Sequence, residues 1–184
     1  MTAPKRSFLP QRIILLGYMG SGKTTVGRAL AKDLGMSFYD LDLYIEARMR
    51  KTVKQLFDER GEKGFRAIEQ KLLHEVAEFE QVVVACGGGT PCFFDNMDYL
   101  NQQGETIYLK ATPEVLYQHL KMGKTVRPLL LEKTQEETQA FIQTHLSQRS
   151  PIYERAKHTL DVNLLNTYEK IQISVNEIKQ FLQI

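Results

Sequence analysis

Residues Gly17–Thr24 form a glycine-rich segment with the pattern G-x-x-x-x-G-K-T. A continuous apolar run, Ile13–Leu16, precedes it, as is typical of a strand that is buried on both faces. After it, apolar residues recur at helical spacing from Val26 to Leu34, and Gly35 follows as a helix-ending residue. A strand, a glycine turn and a helix in this order predict a phosphate-binding loop, and thus a nucleoside triphosphate ligand.

The chemistry of this loop follows from its backbone and its two polar side chains. Backbone N–H groups and the positive end of the helix dipole form an anion site. Lys23 can reach the outer phosphates, and the Thr24 hydroxyl can ligate Mg²⁺. The predicted phosphate-binding residues are Gly20, Ser21, Gly22, Lys23, Thr24 and Thr25. A ligand-free structural turn is the alternative, but such a turn has no need of a lysine.

Composition narrows the classes of partner. The chain has 184 residues, enough for one domain with a substantial core, and a net charge of only +2 with the two signs interspersed. We therefore expect no nucleic-acid partner, and the absence of a long apolar stretch predicts no membrane span. Residues 1–10 lack the apolar segment of a secretory signal and are expected to be flexible. Cys86 and Cys92 are expected to be free thiols.

The apolar and polar segments alternate between strand and helix patterns along the chain. Strands are predicted near 12–17, 37–41, 81–86, 105–110 and 158–162. Helices are predicted near 22–34, 42–58, 61–79, 93–103, 112–121, 135–156 and 167–182. This alternation predicts an α/β fold with three layers, in which helices cover both faces of a five-stranded parallel sheet. Ligands in such folds bind at the carboxyl ends of the strands.

The charged, weakly patterned segment 122–135 is predicted to be either a mobile lid over the site or an ordinary surface loop. It contains Arg127 within an R-P-L-L sequence. An arginine delivered by a lid can neutralise charge on a transferring phosphoryl group. Arg127 is therefore a candidate phosphate-binding and catalytic residue.

Two carboxylates, Asp40 and Asp42, end the second predicted strand. Strand alternation places them on one side, at the sheet edge where the phosphates lie. One can hold Mg²⁺ and the other can accept a proton from an attacking hydroxyl. Asp40 is the candidate metal ligand, because the strand Val82–Ala85 ends without the usual acidic residue. Helix capping by Asp42 is the alternative for that residue.

Two arginines are candidates for binding an anionic acceptor. Arg66 lies three residues before Glu69 on one helix, so the pair is either a surface ion pair or a substrate-binding arginine with its orienting carboxylate. Arg149 precedes a helix break and is either a solvated charge or a substrate-binding arginine. Paired N–H groups of arginine suit a carboxylate. The triplet Gly87–Gly89 after the third strand offers bare backbone against which a ligand can press.

Taken together, these motifs resemble those of shikimate kinase over nearly the whole chain. The resemblance rests on the phosphate-binding loop, the aspartate pair about seventeen residues past its lysine, and four further motifs. These are F-R-x-x-E at 65–69, G-G-G at 87–89, R-P-L-L at 127–130 and R-x-P-x-Y at 149–153. Where family members often carry an arginine that packs on adenine, this chain has His119-Leu120-Lys121, and Lys121 is the candidate substitute.

The resemblance implies ATP-dependent phosphorylation of the shikimate 3-hydroxyl, a cytoplasmic step toward chorismate and the aromatic amino acids. It implies a nucleoside-monophosphate-kinase-like fold, a monomer, and ATP with Mg²⁺ bound at Thr24 and Asp40. Lys23, Asp42 and Arg127 would be catalytic, with Arg127 contacting ATP. The residues that it assigns to shikimate, together with the flanking glycines, are Asp42, Arg66, Gly87, Gly88, Gly89 and Arg149.

Three other functions stay open from the residues alone. A kinase for gluconate or a nucleoside monophosphate would share the architecture, although two arginines favour a carboxylic acid. A GTPase switch is disfavoured, because D-x-x-G at 58–61 lies in a helical stretch and N-K-x-D is absent from the sequence. An inactive nucleotide-binding module is disfavoured by Lys23, Thr24, Asp42 and Arg127.

Overall fold

The computed structural model describes residues 9–123 and 134–184. The strands are β1 (Arg12–Leu16), β2 (Ser37–Asp40), β3 (Val82–Ala85), β4 (Glu105–Lys110) and β5 (His158–Asp161). The helices are α1 (Lys23–Leu34), α2 (Leu41–Met49), α3 (Val53–Ala77), α4 (Asn96–Gln103), α5 (Pro113–Met122), α6 (Gln135–Tyr153) and α7 (Tyr168–Leu182). A short 3-10 helix spans Thr90–Cys92. Most of the segment predicted to be a lid, including Arg127, lies outside the described residues.

The five strands form one parallel sheet in the order β2-β3-β1-β4-β5. Each strand lies within one residue of its predicted bounds, so the predicted α/β fold is confirmed. Ala85 of β3 is in register with both Leu15 of β1 and Asp40 of β2. Because these three carboxyl ends are adjacent, the segments that follow β1, β2 and β3 meet at one sheet edge.

The sheet divides the core into two clusters, and the alternation of β1 residues shows the division. Ile13 and Leu15 pack on one side with residues of α1, α5, α6 and α7. Ile14 and Leu16 pack on the other side with residues of α2, α3 and α4. All four side chains are fully buried or nearly so, as expected for a central strand covered by helices on both faces. Among the described residues, no helix is long and apolar enough to cross a membrane.

The predicted helix 42–58 is wrong in one respect, because the structure divides it. Helix α2 ends at Met49, and its C-cap Arg50 has a φ of 53°. Helix α3 begins after Thr52, which forms a capping box with Gln55: the Thr52 hydroxyl accepts from the Gln55 N–H, and the Gln55 side chain accepts from the Thr52 N–H. A second interruption follows at Gly61, whose φ of 65° and ψ of 178° are not helical, and it lies at the predicted boundary between the helices 42–58 and 61–79.

Candidate active site

The loop between β1 and α1 has the backbone of an anion site. Gly17, Gly20 and Gly22 have φ values of 139°, 81° and 90°, a region that other residues rarely adopt. Gly22 lies at the N-cap of α1 without a side-chain cap, and the first turn of α1 carries no acidic residue. Backbone N–H groups at the start of α1 and the helix dipole therefore attract an anion at this point.

Lys23 is buried and folds back over the loop. Its Nζ donates hydrogen bonds to the carbonyl oxygens of Gly17 at 2.9 Å and Tyr18 at 2.8 Å. Its contact with the Ser21 hydroxyl is longer, at 3.5 Å. The ammonium group is thus already positioned beside the anion site.

A cavity of about 420 Å³ opens between this loop and the carboxyl ends of β2 and β3. We call it the P-loop cavity. Its lining includes the predicted residues Gly20, Gly22, Lys23, Thr24, Thr25, Asp40, Asp42, Gly87 and Gly88. It also includes Met19, Cys86, His119, Met122, Gly123 and Leu165. Ser21 is fully buried beneath the loop, and Gly89, Arg66 and Arg149 lie outside this lining.

Both aspartates line the P-loop cavity, but they do not lie on one strand as predicted. Strand β2 ends at Asp40, and Leu41 already begins α2, so Asp42 lies in the first turn of that helix. The N-cap is Asp40, whose carboxylate accepts from the Leu43 N–H at 3.5 Å, so the capping interpretation of Asp42 is wrong. The other Asp40 oxygen accepts from the Thr24 hydroxyl at 2.7 Å.

The donor set of Thr24 and Asp40 fits Mg²⁺. The ion is bound in proteins by one or two side-chain oxygens together with phosphate oxygens and water, so a hydroxyl and a carboxylate beside a phosphate loop suffice. Within residues 9–123 and 134–184, no group of three or more His, Cys, Asp or Glu side chains could hold a metal. A site of Thr24 and Asp40 therefore depends on oxygen atoms from the nucleotide.

The glycine triplet makes room for functional side chains. A methyl group on Gly87 would lie 2.8 Å from Asp42 Oδ1, and one on Gly89 would lie 2.6 Å from Arg66 Nη2. A methyl group on Gly88 would lie 3.2 Å from the Met19 amide nitrogen, in the phosphate-binding loop. The sequence predicts that a ligand approaches this turn closely. In the structure, the groups that approach it closely are those of Asp42, Met19 and Arg66.

Arg66 and Glu69 form a buried ion pair, so the surface interpretation is wrong. The two residues are 8% and 1% exposed, and Arg66 Nη1 donates to Glu69 Oε2 at 2.8 Å. The other Glu69 oxygen accepts from the Thr90 hydroxyl at 2.7 Å. The guanidinium group also lies 4.1 Å from the centre of the Phe93 ring. Its Nε is buried and has no hydrogen-bond partner in the described part of the chain.

Arg149, on α6, lies in the same region as Arg66. Burial raises the pKa of the Cys92 thiol, while the charges of Arg149 and Arg66 both oppose that rise. Burial likewise raises the pKa of Tyr18 to about 12 against the effect of Arg149. Tyr153, four residues after Arg149, donates from its hydroxyl to the Gly88 carbonyl. Both arginines thus lie close enough to Cys92, three residues after Gly89, to act on its thiol.

His119 is a residue of the P-loop cavity that we did not predict. Its two ring nitrogens contact the Gly20 carbonyl and the Leu165 N–H, while the neighbouring Lys121 is exposed. Neither partner is near His119 in sequence, so no local pattern indicates these contacts. The sequence drew attention to residues 119–121 only because they stand where related proteins often carry an arginine that packs on adenine.

Comparison with known proteins agrees with this geometry. The family model described as shikimate kinase matches residues 19–183. A curated shikimate kinase from Phocaeicola vulgatus is 53% identical over 171 residues, which are 93% of this chain and 98% of that protein. The crystal structure of shikimate kinase from Bacteroides thetaiotaomicron has a TM-score of 0.93 and 46% identity, covering 96% of this chain and 100% of that one. The Acinetobacter baumannii shikimate kinase, in complex with shikimate, has a TM-score of 0.82 and 34% identity, covering 94% and 93%.

Proposed function

The chain belongs to the shikimate kinase family, and we propose that the P-loop cavity is where it transfers the γ-phosphoryl group of ATP to the 3-hydroxyl of shikimate. The reaction, which yields shikimate 3-phosphate and ADP, is a step toward chorismate. The observation that carries the location is that Lys23, Thr24, Asp40 and Asp42 all line one cavity. Cationic and carboxylate groups are thus placed together where a phosphate and a hydroxyl can meet.

The phosphate-binding loop is proposed to hold ATP. Its N–H groups and the dipole of α1 face the bound phosphates, and Lys23 exchanges the carbonyl contacts of Gly17 and Tyr18 for phosphate oxygens. Mg²⁺, held by Thr24 and Asp40, would supply charge neutralisation at the phosphates. Arg127, which lies outside the described residues, is proposed to add a second cation at the phosphates.

Asp42 is proposed to bind the reacting hydroxyl. Its carboxylate lies beside Gly87, where the lack of a side chain leaves space at Oδ1. A carboxylate at this point can orient the hydroxyl and accept its proton as the O–P bond forms. The proton then resides on the Asp42 carboxyl group.

The carboxylate of shikimate is proposed to lie between Arg66 and Arg149. Arg66 is held by Glu69 and by the Phe93 ring, so its guanidinium group is already oriented. A planar guanidinium that is already oriented loses little entropy when it binds a carboxylate. Backbone groups of Gly87, Gly88 and Gly89 are proposed to contact the ring.

A coupled ADP-release assay with MgATP tests the proposed function. Shikimate, gluconate and AMP are compared as acceptors at equal concentrations. We expect turnover with shikimate alone. Turnover with gluconate or AMP, and none with shikimate, would keep a kinase and overturn the assignment of Asp42, Arg66 and Arg149 to the acceptor.

We further propose that the enzyme acts as a monomer in the cytoplasm, with its 184 residues forming one domain. All the residues proposed to bind ATP or shikimate come from one chain, so no second copy is needed to complete the site. Sedimentation velocity at assay concentration should give one species near 21 kDa. A dimeric species would contradict this proposal without affecting the assigned residues.

A further inference from the structure

His119 lies on α5 and forms hydrogen bonds with both ring nitrogens. Nδ1 lies 2.7 Å from the carbonyl oxygen of Gly20, in the phosphate-binding loop. Nε2 lies 2.8 Å from the amide nitrogen of Leu165, in the segment between β5 and α7. One half-buried side chain thus connects α5 with two other segments, which are 99 and 46 residues away along the chain.

The partners determine the tautomer of the ring. The Leu165 N–H can only donate, so Nε2 must be the unprotonated acceptor. The Gly20 carbonyl can only accept, so Nδ1 must carry the hydrogen. The imidazole is therefore neutral with its proton on Nδ1, and no other protonation state makes both hydrogen bonds.

Both partners of His119 belong to the wall of the P-loop cavity. A methyl group on Gly20 would lie 3.0 Å from the Leu120 side chain, so the loop packs closely on α5 at this point. A methyl group on Gly22 would lie 2.3 Å from Leu165 Cδ1, so Leu165 covers the loop glycine directly before Lys23. Gly20, Gly22, His119 and Leu165 all line the cavity.

We propose that His119 is a positioning residue for the nucleotide. By binding the Gly20 carbonyl it orients the turn whose N–H groups face the phosphates, and by binding the Leu165 amide it places Leu165 against Gly22. This inference rests on the proposed function for the identity of the nucleotide, and it predicts an effect on nucleotide binding alone.

Three substitutions separate the two hydrogen bonds. His119→Asn places an amide N–H where Nδ1 lies and keeps the bond to Gly20. His119→Gln reaches the position of Nε2 with a carbonyl oxygen and keeps the bond to Leu165. His119→Ala removes both bonds. Gln118→Ala, at an exposed position of the same helix, is the matched control.

Nucleotide affinity is measured by isothermal titration with ADP and with ATP in the absence of shikimate, and KM for both substrates is measured by ADP release. One neutral hydrogen bond corresponds to a change of about tenfold in affinity. We expect His119→Ala to raise the nucleotide Kd by about tenfold or more. The Asn and Gln variants should fall between Ala and wild type, and KM for shikimate should change by less than about twofold.

The outcomes distinguish this inference from the proposed function. If nucleotide Kd in the Asn and Gln variants equals that of wild type, the positioning role is wrong, whether or not the Ala variant folds. A parallel rise in the Kd for nucleotide and the KM for shikimate, with a lower Tm, indicates a structural role only and overturns the inference. A wild-type protein that binds ATP but does not turn over shikimate would overturn the proposed function and leave this inference standing.

Discussion

Glu69→Gln tests whether the buried ion pair positions Arg66 for the substrate. The substitution removes the charge that lies 2.8 Å from Arg66 Nη1, while the side-chain oxygen of Gln can still accept from Thr90. Removing one member of a buried pair leaves the other charge uncompensated, which costs about 3–5 kcal/mol. Glu62, 3.4 Å from Arg66 Nη2 and mostly exposed, can compensate in part. We therefore expect a loss of about 2–3 kcal/mol in the free energy of unfolding.

A chain of this length loses about 2–4 °C in Tm for each kcal/mol, so Tm should fall by about 4–12 °C. Asp58→Asn is the matched control, because Lys54 and Asp58 form an exposed pair at 2.8 Å on the same helix. Such pairs contribute about 0.3–0.5 kcal/mol, and the control should lower Tm by no more than about 2 °C. Thermal unfolding followed by circular dichroism gives both values.

Function is measured separately from stability in these variants. Glu69→Gln should raise the KM for shikimate by about tenfold, since a charge-assisted hydrogen bond contributes about 1.5–3 kcal/mol and Arg66 loses its orientation. The double variant Arg66→Met with Glu69→Gln should recover much of the Tm, because neither partner is then an unpaired buried charge, and should still bind shikimate poorly. A Glu69→Gln variant with the wild-type Tm and KM would refute the reasoning.

Three further substitutions test Asp42, Arg149 and the half-buried His145. Asp42→Asn should leave ATP affinity near that of wild type and reduce kcat by at least about a hundredfold; near-normal turnover would remove the proton-accepting or orienting role. Arg149→Ala should raise the KM for shikimate about tenfold with little change in the KM for ATP, and an unchanged shikimate KM would mean that the carboxylate is bound elsewhere. Burial, aided by Arg149, lowers the pKa of His145 below its ordinary value of 6.5, so the unfolded chain takes up this proton more readily. Stability should therefore fall as the pH drops below about 6.5, and the Tm of His145→Asn, which keeps an acceptor for the Tyr18 hydroxyl, should depend less on pH.

The sheet was predictable because its central strands β1 and β3 are mainly short apolar segments, and because strand and helix patterns alternate along the chain. Helix boundaries were less predictable where apolar spacing runs through a break. Residues 42–58 read as one helix, although Arg50 adopts a φ of 53° that composition does not signal. The T-x-x-Q capping box at Thr52 and Gln55 was the available signal for a new helix, and it was not used.

The site was predictable where the topology alone brings residues together. Asp40 ends β2, and Lys23 and Gly87 lie in segments that follow β1 and β3. The carboxyl ends of these three strands are adjacent in the sheet, so their motifs had to meet. Burial of Arg66 and Glu69 depends on which face of α3 packs on the sheet, and helical spacing leaves that open. The contacts of His119 depend on segments far away in the chain, and only a tertiary structure supplies them.

The glycines of the two turns, at 17–22 and 87–89, differ in the reason for which they are needed. Gly17, Gly20 and Gly22 have positive φ values, so backbone conformation and space both require glycine there. The triplet 87–89 is absent from the positive-φ positions, and only space requires glycine in it. Each of its members faces a different group: the Asp42 carboxylate, the loop backbone at Met19 and the Arg66 guanidinium. Three glycines, where a tight turn needs one or two, thus follow from three separate close approaches, which bring the proposed proton acceptor, phosphate loop and carboxylate ligand around one short segment of backbone.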